Sequence, residues 1–251
     1  MTDDRGLLLG DGLFETILFK AARPILWDAH LARLTRGCAA LGLSAPDAQT
    51  LADEAAVAVA AAGLGSARAA VRLTWTAGVG GRGLDRPSQP QPRLIASASP
   101  SAPPQGPARL ITSAIRRNEG SPASRLKTLS YLDNVLARRE AATAGADEAL
   151  MLNNRGLLAS AAAANLFWIA EGRLYTPALS CGVLEGIMRS QVLAAVDVQE
   201  VEAPASALHG AEALFLTNSL IGLRRVASLD GQPCGDHPLI ADLVGALADV
   251  A

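Results

Sequence analysis

The chain has 251 residues, half of them hydrophobic, and a formal net charge of -2. It is long enough for one large or two modest cores, and so near-neutral a balance without a basic run argues against a nucleic-acid partner, whose phosphates need a basic face. Cys38, Cys181 and Cys234 are odd in number and far apart, with neither a C-x-x-C pair nor a histidine spacing that suits zinc, so no metal is expected and a reducing compartment is.

In chain order, the opening MTDDRGLLLGDG is acidic and shows no basic region followed by a long apolar one. No apolar run elsewhere reaches membrane-spanning length without charge or glycine, so the expected location is the cytoplasm, with no membrane partner. LFETILF and RPILW flank the turn KAA as a hairpin in which Lys20 is solvated. Asp28 to Leu43 carries helical spacing at Leu31, Leu34, Cys38 and Leu41 and stops at Gly42, and an Ala-rich helix runs from Asp47 to Ala62. ARAAVRLTWTAG alternates like a strand. It leads into Gly78-Val79-Gly80-Gly81-Arg82-Gly83, which satisfies G-x-G-x-x-G. The prolines of LDRPSQPQPRL cannot open the helix that a dinucleotide site needs, so this reads as a glycine loop, either simply flexible or presenting Arg82 to an anionic group.

SASPSAPPQGP, from Ser97 to Pro107, cannot pack a core and reads as a linker. The expected organisation is a small α/β N-terminal domain over 1–98, a linker over 99–107 and a larger C-terminal domain over 108–251 that carries Lys127. After the linker come a strand RLITSAI and a helix from Ser130 to Ala144, stopped by Gly145. The short strands EALMLN, GLLASA, ANLFWIA and RLYTP follow, then a helix from Ile187 to Val196 and a strand EALFLTN. Helices and strands mix without strict alternation and without repeats, which predicts an α+β or mixed α/β fold in two domains.

Arginine supplies every positive side chain except Lys20 and Lys127. A lysine in such a chain raises the question of whether an amine is required, because a guanidinium never loses its proton at physiological pH. Leu129, Leu132, Val135 and Leu136 mark a buried helical face, and Ser130 with Asp133 matches a capping box. Lys127 is therefore expected just ahead of a helix N-terminus, where partial desolvation and the helix dipole favour a nucleophilic amine. A lysine snorkelling at a domain edge fits the same position.

The segments GDGLFET, the H-x-x-R-L of His30 to Leu34, GVGGRG, RLKTLSYLDNVL, ANLFW, LEGIMR and TNSLIG occur in that order. Together they resemble, over nearly the whole chain, the fold type IV pyridoxal-phosphate enzymes: branched-chain aminotransferases, D-amino-acid aminotransferases and 4-amino-4-deoxychorismate lyases. The resemblance implies that Lys127 bonds covalently to the aldehyde of pyridoxal 5'-phosphate and later shuttles the proton. It also implies that Arg33 grips the phosphate, helped by the main-chain amides of Ile187 and Met188 and the Ser219 hydroxyl. A helix start with an arginine is a sound anion site, and an arginine cannot replace the lysine in a reversible imine. Arg82 matches the position that holds a substrate carboxylate in the D-amino-acid enzymes, across the interface of a homodimer. Ser219 reads equally as a turn hydroxyl, Tyr131 either faces the cofactor or packs in the core, His30 reads as structural and Asn165 as the holder of a loop.

Two departures stand out. Relatives usually carry a strand or hairpin before the segment matching DRGLLLGDG, and they place a glutamate, in contact with the pyridine nitrogen, where this chain has Ser160. A hydroxyl can bond to that nitrogen but supplies no counter-charge, which weakens the ring as an electron sink and disfavours transamination relative to expulsion of a leaving group. With GGRG, NLFW and TNSLIG, this points to a lyase of the aminodeoxychorismate type, serving folate synthesis. The alternatives are a transaminase for D-amino acids, branched-chain amino acids or related amines, and a family member without turnover.

Overall fold

The structure is a computed structural model that describes residues 3–250. It forms two compact units: one runs to Ala102 and takes back Leu126–Ser130, and the other holds Pro103–Arg125 and the chain from Tyr131 onward.

The first unit starts with a short helix α1 (Arg5–Leu9) and continues through β1 (Gly12–Lys20), β2 (Arg23–Pro24), α2 (Trp27–Leu41), α3 (Ala48–Ala61), β3 (Arg68–Thr76) and β4 (Arg93–Pro100). The strands make one antiparallel sheet in the order β2-β1-β3-β4, with β1 paired to β3 along its whole length, Gly12 opposite Thr76 and Lys20 opposite Arg68. Lys20 ends β1 half-buried rather than standing in the hairpin turn. Side chains alternate between the faces of a strand, so Leu13, Ile17 and Phe19 enter the core together. Leu34 and Cys38 from α2 and Leu51, Ala55 and Val59 from α3 meet them there. Each fully buried Leu or Ile of this kind contributes roughly 1.5–3 kcal/mol. β4 continues to Pro100, because Ser97, Ala98, Ser99 and Pro100 pair with Arg72, Val71, Ala70 and Ala69. The expected linker residues at its start are thus strand: on an edge strand, proline and small polar side chains cost little.

The second unit comprises β5 (Ala108–Thr112), α4 (Pro122–Arg125), α5 (Leu132–Thr143), β6 (Glu148–Leu152), β7 (Leu158–Ala161), β8 (Asn165–Ala170), β9 (Arg173–Pro177), α6 (Ile187–Ala195), β10 (Gln199–Val201), β11 (Ala213–Asn218), β12 (Gly222–Leu229), β13 (Gln232–Pro233) and α7 (Pro238–Ala246). Its mixed sheet runs β10-β9-β8-β11-β12-β5-β6-β7, with β13 on β12. β5 is parallel to both β6 and β12, whereas β8, β9 and β11 pair antiparallel. Leu166, Trp168, Leu214 and Leu216 build one face of the core, and Phe167 stacks on Phe215 with ring centroids 4.9 Å apart. The class is the mixed α+β expected.

Helix α5 differs from its sequence reading in two ways. It begins at Leu132 with Tyr131 as N-cap and no side-chain cap, so Ser130 and Asp133 do not form a capping box. Its buried positions are Ala137 and Ala141, while Leu132 and Val135 are 67% and 58% exposed. The small alanines let the helix lie close on Ala149 and Met151 of β6, which turns the larger residues outward.

Candidate functional site

Glu15 shares the inward face of β1 with Leu13 and Ile17 and is only 1% exposed. A carboxylate there needs partners, and α2 supplies them from two residues three apart on one helix face. Arg33 donates through Nε to Oε1 at 2.9 Å and through Nη2 to Oε2 at 2.5 Å, and His30 Nδ1 donates to Oε2 at 2.6 Å. Burial by itself would raise the Glu15 pKa; the Arg33 charge and the bonds from Arg33 and His30 outweigh it and bring it from 4.5 down to about 2. His30 is pushed below its usual range, first by burial, against the pull of Glu15, and further by the charges of Arg33 and Lys127. It is a neutral imidazole whose Nδ1 carries the proton, as a carboxylate acceptor requires. His30 is thus structural, as read, and Glu15 is the residue that sequence reasoning missed.

Lys127, expected in the C-terminal domain, belongs instead to this first unit, because Leu126–Ser130 pack with it. Phe14 N donates to Lys127 O at 2.9 Å, Leu129 N donates to Gly12 O at 3.0 Å, and Thr128 pairs antiparallel with Leu13. Residues 127–129 therefore extend the sheet along the edge of β1 that β2 covers only at Phe19 and Lys20. The lysine is set by a strand pairing and not by a helix N-terminus. Its Nζ stands 4.3 Å from the Phe14 ring centroid, and Arg72 approaches the same ring at 3.7 Å. Half-buried on an aromatic ring, the amine is held where its approach is restricted.

The glycine loop also lies in the first unit. Arg82 is exposed and opens a turn closed by Asp85 N donating to Arg82 O at 3.1 Å.

In the second unit several candidates converge. The N-cap of α6 is Gly186, so no side chain caps the amides of the first turn, which include those of the buried Ile187 and Met188. A Cβ on Gly186 would lie 1.9 Å from Asn165 Oδ1, which makes glycine the residue that fits. Asn165 opens β8 and donates from Nδ2 to Leu184 O at 2.9 Å, so it does hold the loop entering α6. Opposite it on β11 is Thr217, fully buried, whose Oγ1 has no hydrogen-bond partner. Ser219 follows in a turn built by Asn218, whose Oδ1 accepts from Leu220 N and Ile221 N at 2.9 Å each and whose Nδ2 reaches Ala163 O. Ser160 is buried on β7 opposite Met151. Asn134, in the first turn of α5, donates to Ala162 O at 2.7 Å, which ties the helix headed by the half-buried Tyr131 to the same turn, 161–164. Arg117 braces the segment before the lysine, donating to Gly182 O at 2.9 Å and to Ser124 O.

These features fit a phosphorylated cofactor. An uncapped helix start is an anion site, and an orphaned buried hydroxyl is costly unless a ligand answers it. No group of side chains suited to a metal ion occurs among the described residues, and no described helix is long and apolar enough to cross a membrane.

Comparison with known proteins bears on the same segments. The family model for amino-transferase class IV matches residues 12–229. A solved structure from Legionella pneumophila, provisionally assigned as a 4-amino-4-deoxychorismate lyase, is 31% identical, covers 100% of this chain and 95% of its own, and superposes with a TM-score of 0.92. The structure of 4-amino-4-deoxychorismate lyase from Pseudomonas aeruginosa is 34% identical, covering 99% and 94%, with a TM-score of 0.89. A protein of Methanocaldococcus jannaschii, provisionally named a branched-chain-amino-acid aminotransferase, is 32% identical over 91% of this chain and 82% of its own.

Proposed function

The chain belongs to the class IV aminotransferase family, and from that premise we propose that it is a pyridoxal-phosphate-dependent lyase that converts 4-amino-4-deoxychorismate to 4-aminobenzoate and pyruvate. Pyridoxal phosphate, when bound, supplies an aldehyde for amines and a ring that accepts electrons. Lys127 Nζ would be the atom that holds the cofactor aldehyde. Nζ would take the ring proton of the substrate and give a proton as enolpyruvate leaves and the ring becomes aromatic. Phosphate-binding roles are proposed separately for Arg33, oriented by Glu15, and for the first-turn amides of α6 with Ser219. Arg82 holds a substrate carboxylate.

The observation that carries the lyase reading is Ser160, buried on β7. Its hydroxyl would offer the cofactor a hydrogen bond and no counter-charge, which would favour expulsion of a leaving group over transamination. The likeness to the Pseudomonas aeruginosa lyase supports the same choice; the homodimer implied by the family resemblance and the cytoplasmic location expected from the sequence complete the proposal.

The test is to incubate the purified holoprotein with 4-amino-4-deoxychorismate and, separately, with D-alanine or a branched-chain amino acid plus a 2-oxo acid. The expected result is 4-aminobenzoate in the first mixture, and amino-group transfer as the main activity would overturn it. Lys127→Ala loses both the product and the covalent cofactor absorbance. Ser160→Glu raises whatever transamination is detectable; a glutamate without effect counts against this account of the serine.

A further inference from the structure

We infer that Arg5 is a positioning residue: it fixes the shape of the glycine loop and so aims Arg82 at the substrate carboxylate, an inference that rests on the role proposed above for Arg82. Residues 80–85 are exposed and bring no core of their own, so something else must hold them. Arg5, only 4% exposed, does so from beneath. Its Nη1 donates to Asp85 O at 2.9 Å and to Gly80 O at 3.3 Å, and its Nη2 donates to Leu84 O at 2.8 Å. One guanidinium therefore binds loop carbonyls on both sides of Arg82.

The fork is itself held. Arg5 Nε donates to Asp11 Oδ2 at 2.9 Å, and the same carboxylate takes Arg86 through Nε at 3.0 Å and Nη2 at 2.5 Å. Arg86 lies just beyond the loop, and its Nη1 also reaches Leu41 O at 2.6 Å. At the loop's other end Arg5 N donates to Gly78 O at 2.8 Å, and Asp4 pairs with Val79. Gly81 shows how tightly the loop closes: its φ is +88°, and a Cβ there would lie 1.9 Å from Asp85 O and 2.9 Å from Arg5 Nη1. A lysine cannot reproduce this arrangement, because a single ammonium does not span carbonyls that a planar five-donor fork reaches at once.

The consequence is kinetic. A contact to a substrate carboxylate distant from the reacting bonds is made equally in the ground and transition states, so misplacing it raises KM and leaves kcat. The experiment compares holoenzymes of wild type, Arg5→Lys, Arg82→Ala and the double variant in steady state with 4-amino-4-deoxychorismate, alongside limited trypsin digestion read at the Arg82–Gly83 bond. Arg5→Lys is expected to raise KM about tenfold with kcat within about twofold, and to add nothing in the Arg82→Ala background. It also speeds cleavage after Arg82, a readout that needs no substrate and so stands apart from the lyase reading. An unchanged KM in Arg5→Lys where Arg82→Ala raises it, or effects that multiply in the double variant, overturns the inference. An unchanged KM in Arg82→Ala instead removes the role proposed for Arg82, and the inference falls with it. Should Arg5→Lys not fold, Asp11→Asn, which loosens the same fork, is expected to raise KM in the same direction, and no change there overturns the inference.

Discussion

In the first unit the buried and half-buried charges pair: Glu15 takes Arg33, with a further bond from the neutral His30, and Asp11 takes Arg5 and Arg86, although His30 Nε2 and Thr128 Oγ1 have no hydrogen-bond partner. In the second, the first turn of α6 has no capping side chain and Thr217 Oγ1 has no partner. The difference separates two ways of preparing for an anion. An arginine paired with a carboxylate is held in one orientation but contributes little net charge, whereas an uncapped helix start contributes partial positive charge that only a ligand or solvent can meet. A region of the first kind is sensitive in stability; one of the second kind is sensitive in affinity.

The largest effect that would break this contrast is expected at Glu15. Glu15→Ala leaves a buried guanidinium without its carboxylate and should destabilise the protein by about 3–5 kcal/mol, measured by urea unfolding. A loss below about 1 kcal/mol would mean that the Arg33 bonds to Glu15 behave like an exposed ion pair. The same pair sets a pH dependence. The Glu15 pKa drops on folding from 4.5 to about 2, so its stabilisation is complete above pH 4.5 and disappears as pH falls towards 2. Thermal midpoints should decline across that window, and Glu15→Gln should flatten the decline.

Next in size is Gly186→Ala, whose new Cβ must displace Asn165 or the start of α6. Cofactor affinity, followed by equilibrium dialysis, should weaken about tenfold, by more than the loss of stability alone explains. The smallest effect sharpens the contrast most. Thr217→Val removes a hydroxyl that bonds to nothing in the protein, so thermal stability should hold or rise slightly while cofactor affinity falls a few-fold. If both stay the same, the hydroxyl is not reserved for a ligand.

Much of this was legible in the sequence because it is local. The α2 spacing ends at Gly42, the Ala-rich stretch from Asp47 forms α3, and the short strands after residue 145 follow their turn residues. The stretch around the lysine was misread because a distant partner overrides its local pattern. Ser130 and Asp133 look like a cap, but residues 127–129 are drawn onto β1, and the helix can begin only after them. Arg5 and Glu15 left no signal of their own. Their partners are Gly80, Leu84 and Asp85 in one case and α2 in the other, and nothing in RGLLLGDG or LFETILF announces which charged residue will be buried. The only available hint was Glu15 at an inward position of an otherwise apolar alternating run, a pattern that asks for a cation nearby.

The strand at 127–129 also bears on how the molecule is made. The first unit lacks that edge of its sheet until translation has passed residue 130, so the nascent N-terminal half leaves the ribosome with an unpaired β-edge beside Phe14. A fragment ending at Ala102 inherits that unfinished edge permanently and is prone to self-association, and the amine on which the chemistry depends arrives only with the segment that seals it.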